Sequence, residues 1–193
     1  MTELILARHG ETDWNAERRF QGHANPPLND TGRAQARALA EHLADRRLTA
    51  IYSSDLRRAA ETARIVGTQL GLPVSQLPSL REIDVGEWSG LTVAEVTERY
   101  PDGYARHRAG GDGWTTGETH ARLSERIVDA IVEIARGHPD DPILVVGHGA
   151  ALRALLAHAE GVELSEFRRN SPPIENGSLA TIAVESGVVR RLD

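Results

Sequence analysis

A chain of 193 residues, 40% of them hydrophobic and only 4% aromatic, can build one continuous core, and that core must be made of Leu, Val, Ile and Ala rather than rings. A formal net charge of -6 gives no basic field for nucleic acid, and the 22 cationic residues are all Arg, which excludes lysine nucleophiles and Schiff-base chemistry. The absence of Cys excludes disulfides, thiol nucleophiles and thiolate metal sites, and no stretch reads as a signal peptide or a span of about 20 apolar residues. A single domain over 1–193 is expected, cytoplasmic, with neither a membrane nor a nucleic acid as partner; a homodimer is compatible with the chain.

The first apolar run, Leu4 to Ala7, ends in Arg8-His9-Gly10 and reads as a buried parallel strand. The polar stretch from Glu11 to Asn29 reads as a long loop, and loops of that length are usually functional. A helix opening near Asp30 and Thr31 places Ala36, Leu39, Ala40 and Leu43 on one face, and a strand follows at Ala50–Ser53. Asp55 is expected to cap the next helix, whose stripe is Leu56, Ala59, Ala60, Ala63, Val66 and Leu70. Arg57 and Arg58 fall in its first turn, where two cations oppose the helix dipole unless an anion meets both.

A short extended piece near Pro73 to Leu77 leads into Leu80 to Gly90, then a helix from about Thr92 to Tyr100. Pro101 to Gly117 holds five glycines with Arg106, His107, Arg108 and Trp114 and reads as a mobile loop or lid. An amphipathic helix carrying Leu123, Ile127, Ala130, Ile131 and Ile134 precedes a second buried strand, Ile143 to Gly147, which ends in His148-Gly149. A helix from about Ala150 to Ala159 and two β segments around Ser186-Gly187 close the chain. The pattern is α/β with an antiparallel edge.

Ligands in open α/β sheets sit beyond the carboxyl ends of the strands, so Arg8, His9, Arg58 and His148 are expected at one rim. Two guanidiniums, two imidazoles and the N-terminus of the helix that Gly149 introduces fit a phosphate dianion, with Asn15 adding an amide donor. His9 is the expected nucleophile, its ring neutral and oriented by a hydrogen bond to a carbonyl in the Gly10 turn. His148, protonated, would stabilise the equatorial oxygens. Glu82, between Leu80 and Ile83, is the expected proton donor, raised in pKa by apolar surroundings, with Glu11 and Asp84 as weaker candidates. No short His spacing supports a metal site; His23 and His107 are the other histidines that could face the pocket, and Arg106 and Arg108 could clamp a substrate.

Arg8-His9-Gly10-Glu11-Thr12, Asn15, Ser53-Ser54-Asp55-Leu56-Arg57-Arg58-Ala59 with Glu61-Thr62-Ala63, Leu80-Arg81-Glu82, Gly86-Glu87-Trp88-Ser89-Gly90 and Gly147-His148-Gly149 together resemble the histidine phosphatase, or phosphoglycerate-mutase-like, superfamily in order and over nearly the whole chain. The resemblance implies a three-layer α/β/α sandwich with a mostly parallel central sheet, a phosphohistidine at His9, and Arg8, Arg58 and His148 as the phosphate pocket. It further implies Asn15 as a ligand, Gln21 and Gly22 in the loop bordering the substrate, Glu82 as proton donor, and neither metal nor cofactor. Gly117-Glu118-Thr119 departs from a family Gly-Glu-Ser stretch by one hydroxyl residue. Cofactor-dependent mutases of this superfamily carry a longer, Lys- and Arg-rich segment after the acidic Glu; here that segment is short, with Arg99, Arg106 and Arg108. A metal-independent phosphomonoesterase acting on a small phosphorylated metabolite is therefore expected, with mutase activity, an α-ribazole-phosphate phosphatase and a catalytically silent binding module as the alternatives.

Overall fold

The computed structural model describes residues 1–192. Its strands are β1 (Thr2–Arg8), β2 (Ala50–Ser53), β3 (Val74–Gln76), β4 (Ile143–Gly147), β5 (Leu179–Glu185) and β6 (Val188–Arg191), and its helices are α1 (Asp13–Ala16), α2 (Asp30–Leu43), α3 (Arg57–Leu70), α4 (Val93–Arg99), α5 (Pro101–Arg108), α6 (His120–Arg136), α7 (Gly149–Glu160) and α8 (Leu164–Asn170). The six-stranded sheet runs β3-β2-β4-β1-β5-β6. Its first four strands are parallel, while β5 and β6 add antiparallel partners at one edge.

Alternation within the buried strands divides the core in two. Leu4 and Leu6 of β1 and Ile143 and Val145 of β4 face α6 and α7. Ile5 and Ala7, with Leu144 and Val146, face α2 and α3. The result is the expected three-layer α/β/α sandwich, and the apolar positions read from the sequence for α2, α3 and α6 are buried in it, apart from Leu70, which is partly buried. Arg8 pairs with Gly147 in the β1–β4 register and His9 N–H donates to Gly147 O at 3.0 Å, so both histidines leave adjacent strands at the same height.

Four local readings are corrected. Asp55 does not cap α3, whose N-cap is Leu56 with no side-chain bond; its carboxylate instead accepts from Nε and Nη2 along one edge of the Arg81 guanidinium, at 2.7 and 2.5 Å, a bidentate, charge-assisted pairing stronger than a bond from a lone amide. The loop from Glu11 to Asn29 contains α1, closed by a capping box between Thr12 and Asn15. The glycine-rich stretch from Pro101 is helical through Arg108, because Pro101 starts α5 and Gly103 lets its backbone lie against Gly113 and Trp88, which is fully buried. The turn after it is tied down by the Glu87 carboxylate, which accepts from the backbone and hydroxyls of Thr115 and Thr116 at 2.6 to 2.9 Å. Finally, α8 is a helix that the sequence pattern does not announce, since Phe167 alone is buried on it.

Where α2 starts, Asn29 caps it by accepting from Gly32 N–H at 2.8 Å, and Gly32 presses against the chain that follows His9. A Cβ at Gly32 would stand 2.1 Å from Glu11 O, and one at Gly10 would stand 2.3 Å from Gly32 O. Both obstacles are backbone. Gly32→Ala is therefore expected to cost about 1–3 kcal/mol and to lower turnover with it by displacing the His9–Gly10 turn; a urea midpoint unchanged from the parent would refute this contact as a constraint.

Candidate active site

His9 and His148 stand side by side beyond β1 and β4, both buried, with ring centroids 5.1 Å apart. The His9 Nδ1 lies 2.7 Å from Gly10 O; a carbonyl only accepts, so Nδ1 carries the proton and Nε2 keeps its lone pair. Burial, then the charges of Arg58 and Arg8, holds the His9 pKa well below the ordinary imidazole range, which keeps the ring neutral. The orientation anticipated from the Gly10 turn is thus present. His148 differs from expectation: burial and Arg58 push its pKa well below the usual value too, so it is neutral in the free protein rather than protonated. Neither of its ring nitrogens has a hydrogen-bond partner.

The cations reach this pair from two further elements. Arg58, buried in the first turn of α3, donates Nη1 to Ala24 O at 2.7 Å and Nη2 to Gly22 O at 2.9 Å, and leaves Nε without an acceptor. Burial lowers its pKa to about 10, so it stays charged at neutral pH. Arg8 donates Nη1 to Ile174 O and likewise leaves Nε unpaired. Arg57 is exposed and does not line the cavity, its backbone N–H donating to Asn25 Oδ1, so only Arg58 of the pair enters the site; helical geometry sends neighbouring side chains about 100° apart. The Asn15 Oδ1 is occupied by Thr12 N–H and hydroxyl, at 3.1 and 3.0 Å, which leaves its Nδ2 for the cavity that it lines. Gln21, Gly22 and Gly149 line the same cavity, and Gly22 has a φ of 49°, with Val85 where a Cβ would go.

Glu82 is the only carboxylate lining that cavity, among the described residues, and this separates it from Glu11 and Asp84. Glu11 accepts from Asn29, and Asp84 from Gly86 N–H. The surroundings of Glu82 are not the apolar ones expected: Oε1 accepts from Ile83 and Ala151 N–H at 3.0 and 3.1 Å and Oε2 from Ala150 N–H at 3.1 Å, so the first turn of α7 holds it. The segment is fixed from behind by Arg126 of α6, which donates to Ser79 O and Arg81 O at 2.8 and 3.0 Å and pairs with Glu118 at 2.7 Å. His23 does not line the cavity; its Nε2 donates to Glu82 O at 2.8 Å.

The cavity measures about 270 Å³, and its outer wall is made by Phe20, His107, Trp114 and His120 with Arg153 and Arg168. His107 thus faces the site, whereas Arg106 and Arg108 do not line it; Arg106 reaches Asp112 O and Gly113 O instead. The last two arginines were invisible in the sequence reading. Arg153 had a usable signal, since it follows Gly149 by four residues and Ala150 by three and therefore shares their helix face. Arg168 had none, because α8 itself was not legible. No group of three or more His, Asp or Glu placed to hold a metal ion occurs among the described residues, and no helix is long and apolar enough to cross a membrane.

The family model of the histidine phosphatase superfamily (branch 1) matches residues 4–191. Phosphoserine phosphatase 1 of Hydrogenobacter thermophilus is 36% identical over 190 residues, covering 96% of this chain and 88% of that protein. The uncharacterized phosphatase PhoE of Bacillus subtilis is 37% identical over 161 residues, covering 83% and 79%. Among solved structures, Bacillus stearothermophilus YhfR superposes with a TM-score of 0.92 at 34% identity, covering 99% of this chain and 95% of that one.

The two neutral imidazoles make the fold acid-sensitive. In the unfolded chain each titrates near pH 6.5, well above its folded value, so as pH falls below about 6.5 the unfolded state takes up two protons that the folded state refuses. Their contribution is intact above that pH, and the loss grows by roughly 1.4 kcal/mol per pH unit for each histidine until the depressed folded pKa is reached. Urea unfolding at pH 7.5 and pH 5.0 is expected to show a drop of several kcal/mol that saturating inorganic phosphate reduces; equal midpoints at the two pH values would contradict neutral burial of the pair.

Proposed function

Because the chain belongs to the histidine phosphatase superfamily (branch 1) and is a phosphatase of that family, we propose that it hydrolyses monoesters of small phosphorylated metabolites through a phosphohistidine at His9. One observation carries this reading: a neutral, buried His9 with Nδ1 fixed on Gly10 O stands beside Arg8 Nε, Arg58 Nε and His148, all lacking an acceptor. Leaving buried donors unpaired is costly, and a phosphoryl group supplies the oxygens that would satisfy them.

In the first step the lone pair of His9 Nε2 forms a bond to phosphorus as the ester P–O bond breaks, and the leaving oxygen takes a proton from the Glu82 carboxyl. The Gly10 carbonyl stabilises the positive charge that the ring gains. Arg8, Arg58 and Asn15 meet the non-bridging oxygens. His148 is kept neutral by burial and then by the guanidinium field; incoming negative charge offsets that field, so its affinity for a proton rises on binding, which suits it to stabilise the transition state. In the second step water attacks phosphorus, Glu82 accepts its proton, and the N–P bond breaks to return His9. The names of the phosphatase relatives support water as the acceptor in place of a second hydroxyl.

Replacing His9 by Ala is expected to lower phosphate release from p-nitrophenyl phosphate by roughly 10³-fold or more with an unchanged circular dichroism spectrum and no acid-labile phosphoenzyme after quenching. Turnover retained in that variant would remove His9 from the nucleophile role. Glu82→Gln is expected to slow alkyl phosphates by about 10²–10⁴-fold and p-nitrophenyl phosphate far less, because a nitrophenolate leaves without a proton. Equal losses on the two classes would assign Glu82 a positioning role.

A further inference from the structure

Five arginines line the active-site cavity, and their charges are balanced unequally. Arg19 is paired with Glu17 at 2.5 Å and lies 3.4 Å from Glu95, so it brings little free charge. Arg8 and Arg58 face Glu82, and a bound phosphoryl group would complete their neutralisation. Arg153 has no such partner, and Arg168 senses one carboxylate, Asp112, only through space, with no hydrogen bond between them. Arg153 donates Nη2 to Arg168 O and Ser171 O, both at 2.9 Å, while its Nε is buried without an acceptor and its Nη1 meets none among the described residues. Arg168 donates to Gly110 O at 2.8 Å and to His107 Nδ1 at 3.1 Å. Every acceptor these two guanidiniums meet is a neutral carbonyl or imidazole. His107 itself is neutral, with a pKa lowered to about 3 by burial and then by Arg168. The nearby Asp112 is engaged by His120, through both its backbone N–H and its ring Nδ1.

Position on α7 gives this pair a defined reach. Gly149, Ala150 and Arg153 all line the cavity, and four residues of helix rise about 6 Å. We propose that Arg153 and Arg168 form a second anion subsite roughly one helical turn from the His9–His148 pair, and that the preferred substrate is a phosphate monoester with a further anionic group, a carboxylate or a second phosphate, at its far end. This rests on the phosphatase reading and narrows it. Two guanidinium charges with no bonded carboxylate, and the Nε and Nη1 donors of Arg153 left without an acceptor, suit either group, and partial burial strengthens the attraction relative to a surface pair. Glu82 being the only carboxylate that lines the cavity among the described residues, an ammonium on the same substrate would meet no lining carboxylate at the outer wall, Asp112 lying behind His120.

The test is a ratio, which general damage to the fold does not move. Values of kcat/KM are measured for 3-phosphoglycerate against glycerol 3-phosphate and for fructose 1,6-bisphosphate against fructose 6-phosphate, with p-nitrophenyl phosphate as a substrate lacking any far-end anion. At least a tenfold preference for the doubly anionic member of one pair is expected, and the pair that shows it tells carboxylate from phosphate. In Arg153→Gln and in Arg168→Gln that preference should fall at least fivefold, mainly through KM, and Arg153→Lys should restore part of it. A parent enzyme that cleaves p-nitrophenyl phosphate with no preference in either pair, or a preference that survives both Gln variants, overturns the subsite and leaves the phosphatase reading standing. Absence of turnover on every ester would overturn both.

Discussion

An excess of buried positive charge is the constraint on which the site depends. Arg8, Arg58 and the two imidazoles are packed where the β1 and β4 strands end, and Glu82 is the carboxylate that faces them. Such an arrangement is unfavourable for the free fold, since guanidiniums lose hydration on burial and like charges lie close. It persists because each Arg is anchored through its outer nitrogens, Arg58 on Gly22 O and Ala24 O and Arg8 on Ile174 O. The anchoring leaves Nε at both sites with nothing to bind. A tetrahedral anion is the ligand class whose charge and acceptor oxygens together answer that deficit.

Burial and the same field suit His9 to the nucleophile role proposed for it. An imidazolium has no lone pair to offer, and a histidine beside a phosphate group would otherwise tend to hold a second proton. Burial, and then Arg58 and Arg8, oppose that proton in the free protein, while the Gly10 carbonyl fixes the remaining one on Nδ1. Local geometry and the electrostatics of the whole rim therefore act on one atom, Nε2. The close contact of Gly32 with Glu11 belongs to the same device, because it sets the path of the chain immediately after His9.

What could be read in the sequence divides along physical lines. Residues whose position follows from strand or helix periodicity were legible: His9 and His148 at the ends of aliphatic runs, Arg58 in a first helical turn, and the stripes of α2, α3 and α6. Features decided by competition between partners were not. Asp55 looked like a cap and became the partner of Arg81, and Glu82 looked like a carboxyl in apolar surroundings but is held by backbone amides. The glycines around α5 suggested looseness, yet Gly103 and Gly113 are small because Trp88 occupies the space beside them, which is a packing fact invisible to composition. Arg153 and Arg168 escaped for another reason. The role proposed for them rests on what they lack, a carboxylate bonded to either guanidinium, and a missing contact leaves no pattern in a chain that is rich in both Arg and Glu.

α7 joins the chemistry to selectivity. His148 is its N-cap, the amides of Ala150 and Ala151 hold the Glu82 carboxyl, and Arg153 extends from the same face one turn later. Its helix dipole favours negative charge at that end, which serves the phosphoryl group and the Glu82 carboxylate alike. These groups share one rigid element buried against β1, so in the proposed reaction a substrate held by both Arg153 and the phosphate pocket would have its leaving oxygen fixed relative to Glu82. On that proposal, contacts made away from the reacting bond become a means of aligning it, and the binding energy of the far end would be expressed in the geometry of the proton transfer.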